Sequence, residues 1–409
     1  MPRAIRITLT VAAAILALSA LRSFWKQHEK AAGLDFYIYF VNSQLASRGD
    51  VENIYAPEVQ VRIGEEYFER AQRGTSELRR YDATRRRRMD SVSSPFLYTS
   101  LRWVSRDYDF ALRQYHVLVL ASFVGGVVLL SRRAGISWAA TFFLIAGLLQ
   151  FYRGFEADLR VGNVNSIQLL MIAVAVWSPP FVAGAIFGAL ILFKPNLIYV
   201  AILLIAARRR VGREVAGGIA GAAIAFVMAS INYGTPRVWL QWIEAANQFW
   251  HRLPARGERN VTPALSLFHE YGTWPSYAIA AVLLAIAAFV IWRRKESDDL
   301  LAIGLGLVIY LLSATVVWLH YMVLVLPLAI ALLRSRWAAV VSIFALAAIA
   351  EEPFELLTGR PIYPNDAWLI GPALAALYVA GIGVVPALHR DPPSALRRLA
   401  GRVQHALLG

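Results

Sequence analysis

Residues 116–152 read HVLVLASFVGGVVLLSRRAGISWAATFFLIAGLLQFY: an apolar run from 116 to 131, the pair Arg132-Arg133, and a second apolar run from 136 to 152. A helix needs about 20 predominantly apolar residues to cross the hydrocarbon of a bilayer. Each run comes near that length without an internal charge, so the stretch reads as two membrane helices turning at a basic loop. The pattern recurs along the chain, at 7–21, 166–177, 180–193, 196–207, 215–231, 276–292, 300–318, 321–333, 337–350 and 369–388. The sequence therefore predicts an all-α polytopic membrane protein of about twelve spans. A hydrophobic fraction of 58% over 409 residues fits that class and no soluble one.

An even number of spans puts both ends on one side, and the short loops say which. Arg132-Arg133, Arg208 to Arg210 with Arg213, Arg293-Arg294-Lys295, and Arg334 with Arg336 share the face of Arg3 and Arg6. Such an excess of Lys and Arg marks the cytoplasmic side. Residues 1–388 then form one transmembrane domain and 389–409 a basic cytoplasmic tail, in a multi-pass protein of the cytoplasmic (inner) membrane. The net charge of +14 follows from these anchoring charges and anionic lipid, without nucleic acid. The run 7–21 ends at Leu21-Arg22-Ser23-Phe24 with no small-residue cleavage site and reads as a retained anchor. The chain has no Cys, which excludes disulfides and thiolate metal sites. It also has no P-loop, HExxH or GxSxG pattern.

The long loops, 22–115, 153–165, 232–275 and 351–368, fall on the opposite face. The first carries nine Arg between 62 and 88, which a loop beyond roughly 60 residues tolerates. The stretch Arg85 to Arg88 reads as a solvated basic loop or a lipid-phosphate contact. Residues 96–112, with Leu97, Leu101, Val104 and Tyr108 at helical spacing, suggest one amphipathic helix on the membrane surface. The spans 166–177, 180–193 and 196–207 are too short to cross independently. Broken helices persist where they border a cavity, so a cavity is expected on the outer face near Phe193-Lys194-Pro195-Asn196.

The polar residues around that cavity define the chemistry. Asp35, Tyr39 and Asn42 fall at i, i+4 and i+7, a polar stripe suited to a shallow interfacial helix. Asp35 there is a general base or a helix cap. Lys194, between two short apolar segments, calls for an anionic partner such as the phosphate of a lipid carrier, or it snorkels to the headgroups. The carboxamides of Gly162-Asn163-Val164-Asn165, just after Asp158, suit sugar hydroxyls or a turn. His320 beside Trp318 and Tyr321 suits a phosphate, a sugar or an aromatic belt. Asp107-Tyr108-Asp109 resembles a metal-binding acid pair or is a solvated loop.

Taken in order, Asp35-Phe36-Tyr37-Ile38-Tyr39, Asn53-Ile54-Tyr55, Ser94-Pro95-Phe96-Leu97-Tyr98, Gly162-Asn163-Val164-Asn165, Lys194-Pro195, Asn260 and Trp318-Leu319-His320 resemble the polyprenol-phosphate-mannose-dependent mannosyltransferases of glycosyltransferase family 87. The likeness runs from about residue 7 to about residue 333. It implies a GT-C architecture and an inverting transfer of a sugar, usually mannose, from a polyprenyl phosphate carrier on the outer leaflet to a lipid-linked or glycan acceptor. It would put the catalytic acid on Asp35 and the phosphate-facing groups on Lys194 and His320. Asn165 and Asn260 would match recurrent polar positions, and Tyr39, Asp158 and Asn163 join them as sugar or acceptor contacts. The family usually has Gly-Gln-x-Asn where this chain has Gly162-Asn163-Val164-Asn165, and a Tyr-Pro-Pro-like pattern at Ser94-Pro95-Phe96. A carboxylate base and two cationic groups at the leaving phosphate call for no metal or cofactor. A transporter or flippase of a polyprenyl-linked sugar, and a GT-C-type oligosaccharide ligase or polymerase, are the alternatives.

Overall fold

A computed structural model describes residues 3–46, 52–207, 211–251, 260–293, 298–350 and 367–387. The tail 389–409, the loop Arg208 to Arg210 and nearly all of the loop 351–368 lie outside the described residues. The chain is helical, and its described residues hold only two isolated β-bridges, Tyr152 with Ala350 and Asn260 with Trp318. The first third carries α1 (Arg3–Lys30), α2 (Leu34–Ala46), α3 (Pro57–Gln72), α4 (Glu77–Arg85), α5 (Pro95–Ser100) and α6 (Tyr108–Arg133). The middle carries α7 (Trp138–Phe151), α8 (Arg153–Val161), α9 (Asn165–Trp177), α10 (Pro180–Phe193), α11 (Ile198–Ala207), α12 (Gly212–Asn232) and α13 (Arg237–His251). The last part carries α14 (Leu265–Tyr271), α15 (Trp274–Arg293), α16 (Asp299–Ser313), α17 (Leu326–Leu332), α18 (Arg336–Ile349) and α19 (Ala367–Ala387).

Each of the twelve apolar runs forms helix over most of its described length, with 314–318 extended instead, but the helices are of unequal length. Among the described residues three helices, α6, α12 and α15, are long and apolar enough to cross a membrane alone. The pair α8 and α9 passes together while bending by 115° at its break. Several others, α7, α10 and α18 among them, have only 14 residues, which makes this a helical multi-pass membrane protein built partly from short and broken elements. Large apolar side chains point outward on the long helices, among them Ile219, Ile231, Phe289 and Trp292. Water would penalise such a surface, whereas lipid does not. Inside, α16 is buried from Leu300 to Leu311, and α10 and α12 touch backbone to backbone at Gly184, Gly188, Gly217 and Gly221, the close approach that small residues permit between membrane helices.

The two ends of this bundle differ in character. At one end Arg334 pairs with Asp298 and donates to the Arg133 carbonyl (2.8 Å), so the end of α6, the start of α16 and the turn after α17 converge. From Arg133, α6 runs 26 residues back to Tyr108, about 39 Å at 1.5 Å per residue. There Tyr108 packs on Phe36, with ring centroids 6.0 Å apart.

Two local expectations change at this second end. The stretch 96–112 is not one helix: α5 stops at Ser100, and Asp107 caps a new helix by accepting from the Phe110 amide (2.8 Å). Asp109 accepts from Ser76 Oγ (2.6 Å), so both acids of the Asp107-Tyr108-Asp109 triplet are used in holding loops and caps. Nor is α2 a shallow surface helix. Phe36, Tyr37, Val41 and Asn42 are all buried, Phe36 stacks on Tyr115 at 4.5 Å, and Asn42 donates to Ser91 Oγ (2.8 Å). The segment between α2 and α6 folds over α2 and encloses its polar stripe.

Candidate functional site

Two glycine turns bring the site together. Gly33, just before α2, and Gly162, which ends α8, have φ of +64° and +68°, a region that side chains with a Cβ avoid. The turns lie against each other: Gly33 N donates to the Arg160 carbonyl (3.1 Å), and a Cβ on Gly162 would fall 2.6 Å from Phe36 Cβ. Asp35, in the first turn of α2, is thereby set beside Asn163, the first residue of the α8–α9 break. Asn163 Nδ2 donates to Asp35 Oδ2 (2.8 Å). The Asn163 carbonyl is fixed in turn by Tyr115 Oη (2.8 Å).

Lys194 arrives from the far side. It ends α10 in an extended conformation, since Pro195 excludes the helical region for the residue before it. Its Nζ donates to Asn163 Oδ1 (3.3 Å) and Asn165 Oδ1 (3.0 Å) and lies over the Tyr321 ring at 4.2 Å. One carboxamide, Asn163, therefore separates the carboxylate from the ammonium. Behind it, fully buried Asp158 accepts from Asn165 Nδ2 (3.0 Å), from the Ser166 amide (2.9 Å) and from Ser166 Oγ (2.6 Å). Asp158 thus orders the α8–α9 break rather than facing the cavity.

Asp35, Tyr39, Asn163 and Lys194 line one cavity of about 360 Å³ with Trp318 and Tyr321, a size suited to small ligands. The charged and amide groups cluster on one part of the wall, and Tyr39, Phe249, Trp318 and Tyr321 supply aromatic surface. His320 is placed differently. Its ring stacks on Trp318 (centroids 5.8 Å) and meets Tyr321 edge-on (4.7 Å) outside the lining, while its carbonyl accepts from Asn165 Nδ2 (3.2 Å). Its Nε2 is buried without a hydrogen-bond partner. Asn260 serves the frame: its Oδ1 accepts from the Thr262 and Val317 amides (3.1 and 2.9 Å) and its Nδ2 donates to the Thr315 carbonyl (3.3 Å). It ties the 260–262 segment to the strand-like chain leading to Trp318.

Sequence reasoning missed Arg86, which also lines the cavity. Its Nη2 meets Asp35 Oδ1 at 2.6 Å and its Nε donates to the Leu34 carbonyl (3.1 Å). The four consecutive Arg look alike in sequence, yet Arg87 turns out to Glu65 and Arg85 lies over Tyr81. The signal that distinguishes Arg86 is tertiary: Gly64 of α3 lets the Arg87 carbonyl approach so closely that a Cβ there would overlap it.

Asp82, one helical turn before Arg86, is fully buried. It accepts from Tyr108 Oη, and its second oxygen has no partner. Burial raises its pKa to about 7, against the lowering effects of the Tyr108 hydrogen bond and the Arg86 charge. Between about pH 4 and pH 7 the folded state keeps a proton that the unfolded chain has released, so this group's contribution to stability declines as pH rises and levels off above 7. Asp82→Asn keeps an acceptor for Tyr108 and removes that dependence. We expect the variant to be more stable than the parent by on the order of 2–4 kcal/mol above pH 7, with the difference vanishing near pH 4. Thermal unfolding in detergent across this range checks it.

A model of glycosyltransferase family 87 matches residues 93–318, while no curated protein and no solved structure matches the chain. The matched segment holds Asn163, Asn165, Lys194 and Asn260 and stops at Trp318 on the cavity rim, whereas Asp35, Arg86 and His320 lie outside it. Because the match covers more than half of the sequence, from the helix that closes over α2 to the aromatic wall of the cavity, the chain belongs to glycosyltransferase family 87 and is a glycosyltransferase.

Proposed function

We propose that the protein transfers one sugar, mannose by the family resemblance, from a polyprenyl phosphate carrier to a lipid-linked or glycan acceptor. The reaction takes place at the extracytoplasmic face of the cytoplasmic membrane, within a GT-C-like bundle. The observation that carries this reading is the sharing of Asn163 by Asp35 and Lys194, residues from distant parts of the chain, at the wall of one cavity. A carboxylate and an ammonium one carboxamide apart suit the two ends of a sugar in transfer. The acceptor hydroxyl oxygen attacks the anomeric carbon and its proton passes to Asp35. The new glycosidic bond forms as the bond from that carbon to the phosphate oxygen breaks, with inversion, and the electron pair leaves with polyprenyl phosphate. Lys194 faces the charge that develops on that phosphate. Tyr39 and Asn163, on the cavity wall, offer hydrogen bonds to sugar or acceptor hydroxyls, while Asn165 holds Lys194 from behind and His320 backs the aromatic wall of Trp318 and Tyr321.

Membership in a transferase family weighs against the transporter reading, and the cavity suits one sugar with its phosphate better than a preassembled glycan. The test is incubation of the purified protein in nanodiscs with polyprenyl phosphate mannose and extracted acceptor lipids, followed by mass spectrometry. The expected product is an acceptor heavier by one hexose with release of polyprenyl phosphate. An intact donor, or transfer of a whole glycan from a polyprenyl pyrophosphate, overturns the proposal.

A further inference from the structure

Asp35 is occupied on both oxygens. Oδ2 takes a neutral amide hydrogen bond from Asn163, but Oδ1 is held at 2.6 Å by the Arg86 guanidinium. A proton arriving on that carboxylate would arrive beside a positive charge, and an acceptor hydroxyl approaching Oδ1 would have to displace it. A general base needs the proton within direct hydrogen-bond reach. The ion pair as it stands sets a guanidinium against the oxygen that the reaction would use.

Arg86 is nevertheless not a stray surface residue. Its turn is built: Gly64 accommodates the Arg87 carbonyl, Met89 and Asp90 take φ of 61° and 45°, and Gln60 Oε1 accepts from the Ser91 amide (3.0 Å). Such left-handed non-glycine residues persist only where the surroundings fix them, commonly at functional sites. The turn delivers one of four adjacent arginines into the cavity that Lys194 also lines. Its present contacts use Nε and Nη2, while a guanidinium carries five N–H donors in a planar fork that matches phosphate geometry.

We propose that Arg86 is a ligand of the donor phosphate and that it passes from Asp35 to that phosphate when the donor binds. The handover frees Asp35 Oδ1 for the acceptor proton and leaves Arg86 and Lys194 as the two cations on the leaving group. The anion that recruits the guanidinium is thus the one whose departure the freed base assists, and the donor-free enzyme keeps its base masked. This rests on the reading of Asp35 as base and of the donor as a polyprenyl phosphate.

Equilibrium binding of polyprenyl phosphate, measured in nanodiscs on wild type, Arg86→Gln, Arg86→Lys, Asp35→Asn and the Asp35→Asn/Arg86→Gln double variant, tests it without relying on turnover. Asp35→Asn is expected to bind several-fold tighter than wild type, because Arg86 is already released. Arg86→Gln is expected to weaken binding about tenfold or more in both backgrounds, with partial recovery in Arg86→Lys, whose matching thermal midpoint shows that the fold is kept. If Arg86 only positions Asp35, removing it in the Asp35→Asn background changes nothing, and that result overturns the proposal while leaving the base reading intact. Failure of polyprenyl phosphate to bind any of the proteins removes the donor reading and this inference together. Inorganic phosphate in a parallel titration separates headgroup recognition from binding through the lipid tail.

Discussion

Asp35→Asn is expected to leave a folded protein that binds polyprenyl phosphate and transfers sugar about 10² to 10⁴ times more slowly, the usual worth of a positioned general base. The substitution preserves volume and one acceptor oxygen while removing the carboxylate proposed to take the proton. Its carboxamide can satisfy Arg86 or Asn163 but not both in their present geometry. The side chain keeps 19% exposure, so water serves the other, and the structural cost stays small. Single-turnover transfer with preloaded donor isolates the chemical step from binding. Slow transfer with donor affinity retained or improved is the expected pattern. Turnover within threefold of wild type would remove Asp35 as base, and loss of both folding and binding would make it a frame residue like Asn260.

Much of this site is legible in the sequence because charge is conspicuous among apolar residues. Lys194 and Asp35 stand out for where they interrupt hydrophobic runs, and the Asn163 and Asn165 carboxamides for their place before a short span. The structure brings these four within a few hydrogen bonds of one another. What sequence cannot show is which polar residues turn inward. Asn260 has the same chemistry as Asn163, yet it is consumed by backbone groups of the chain leading to Trp318. Arg86 is one of four identical neighbours, and only the packing of α3 beneath its turn selects it. The helical, membrane-embedded character of the fold is legible too, since apolar runs report burial in lipid or protein. Their length does not report bending, and the 115° turn between α8 and α9 rests on one glycine. The break within 96–112 escapes because its hydrophobic spacing continues across Asp107, where a side-chain cap restarts the helix.

That glycine carries the largest structural prediction. In Gly162→Ala the new Cβ would lie 2.6 Å from Phe36 Cβ, 3.3 Å from Phe36 N and 3.4 Å from Gly33 Cα. None of these atoms is the yielding tip of a side chain, so α2 and the end of α8 must move apart. The left-handed conformation adds about 1 kcal/mol of its own. Gly135 provides the control, with φ of +72° and open space where a methyl group would stand. Gly135→Ala therefore suffers the same backbone strain without displacing anything. Both variants are expected to melt a few degrees lower, but only Gly162→Ala should lose turnover, by roughly 10²-fold, the effect of about 1 Å of misplacement between reacting groups. The reason is geometric: Asp35 rides on α2 while Asn163 and its partner Lys194 are held by the α8–α9 break, so parting the two turns parts the carboxylate from the ammonium. Equal turnover in the two alanine variants would mean that the Gly33–Gly162 contact holds the fold without aligning the chemistry.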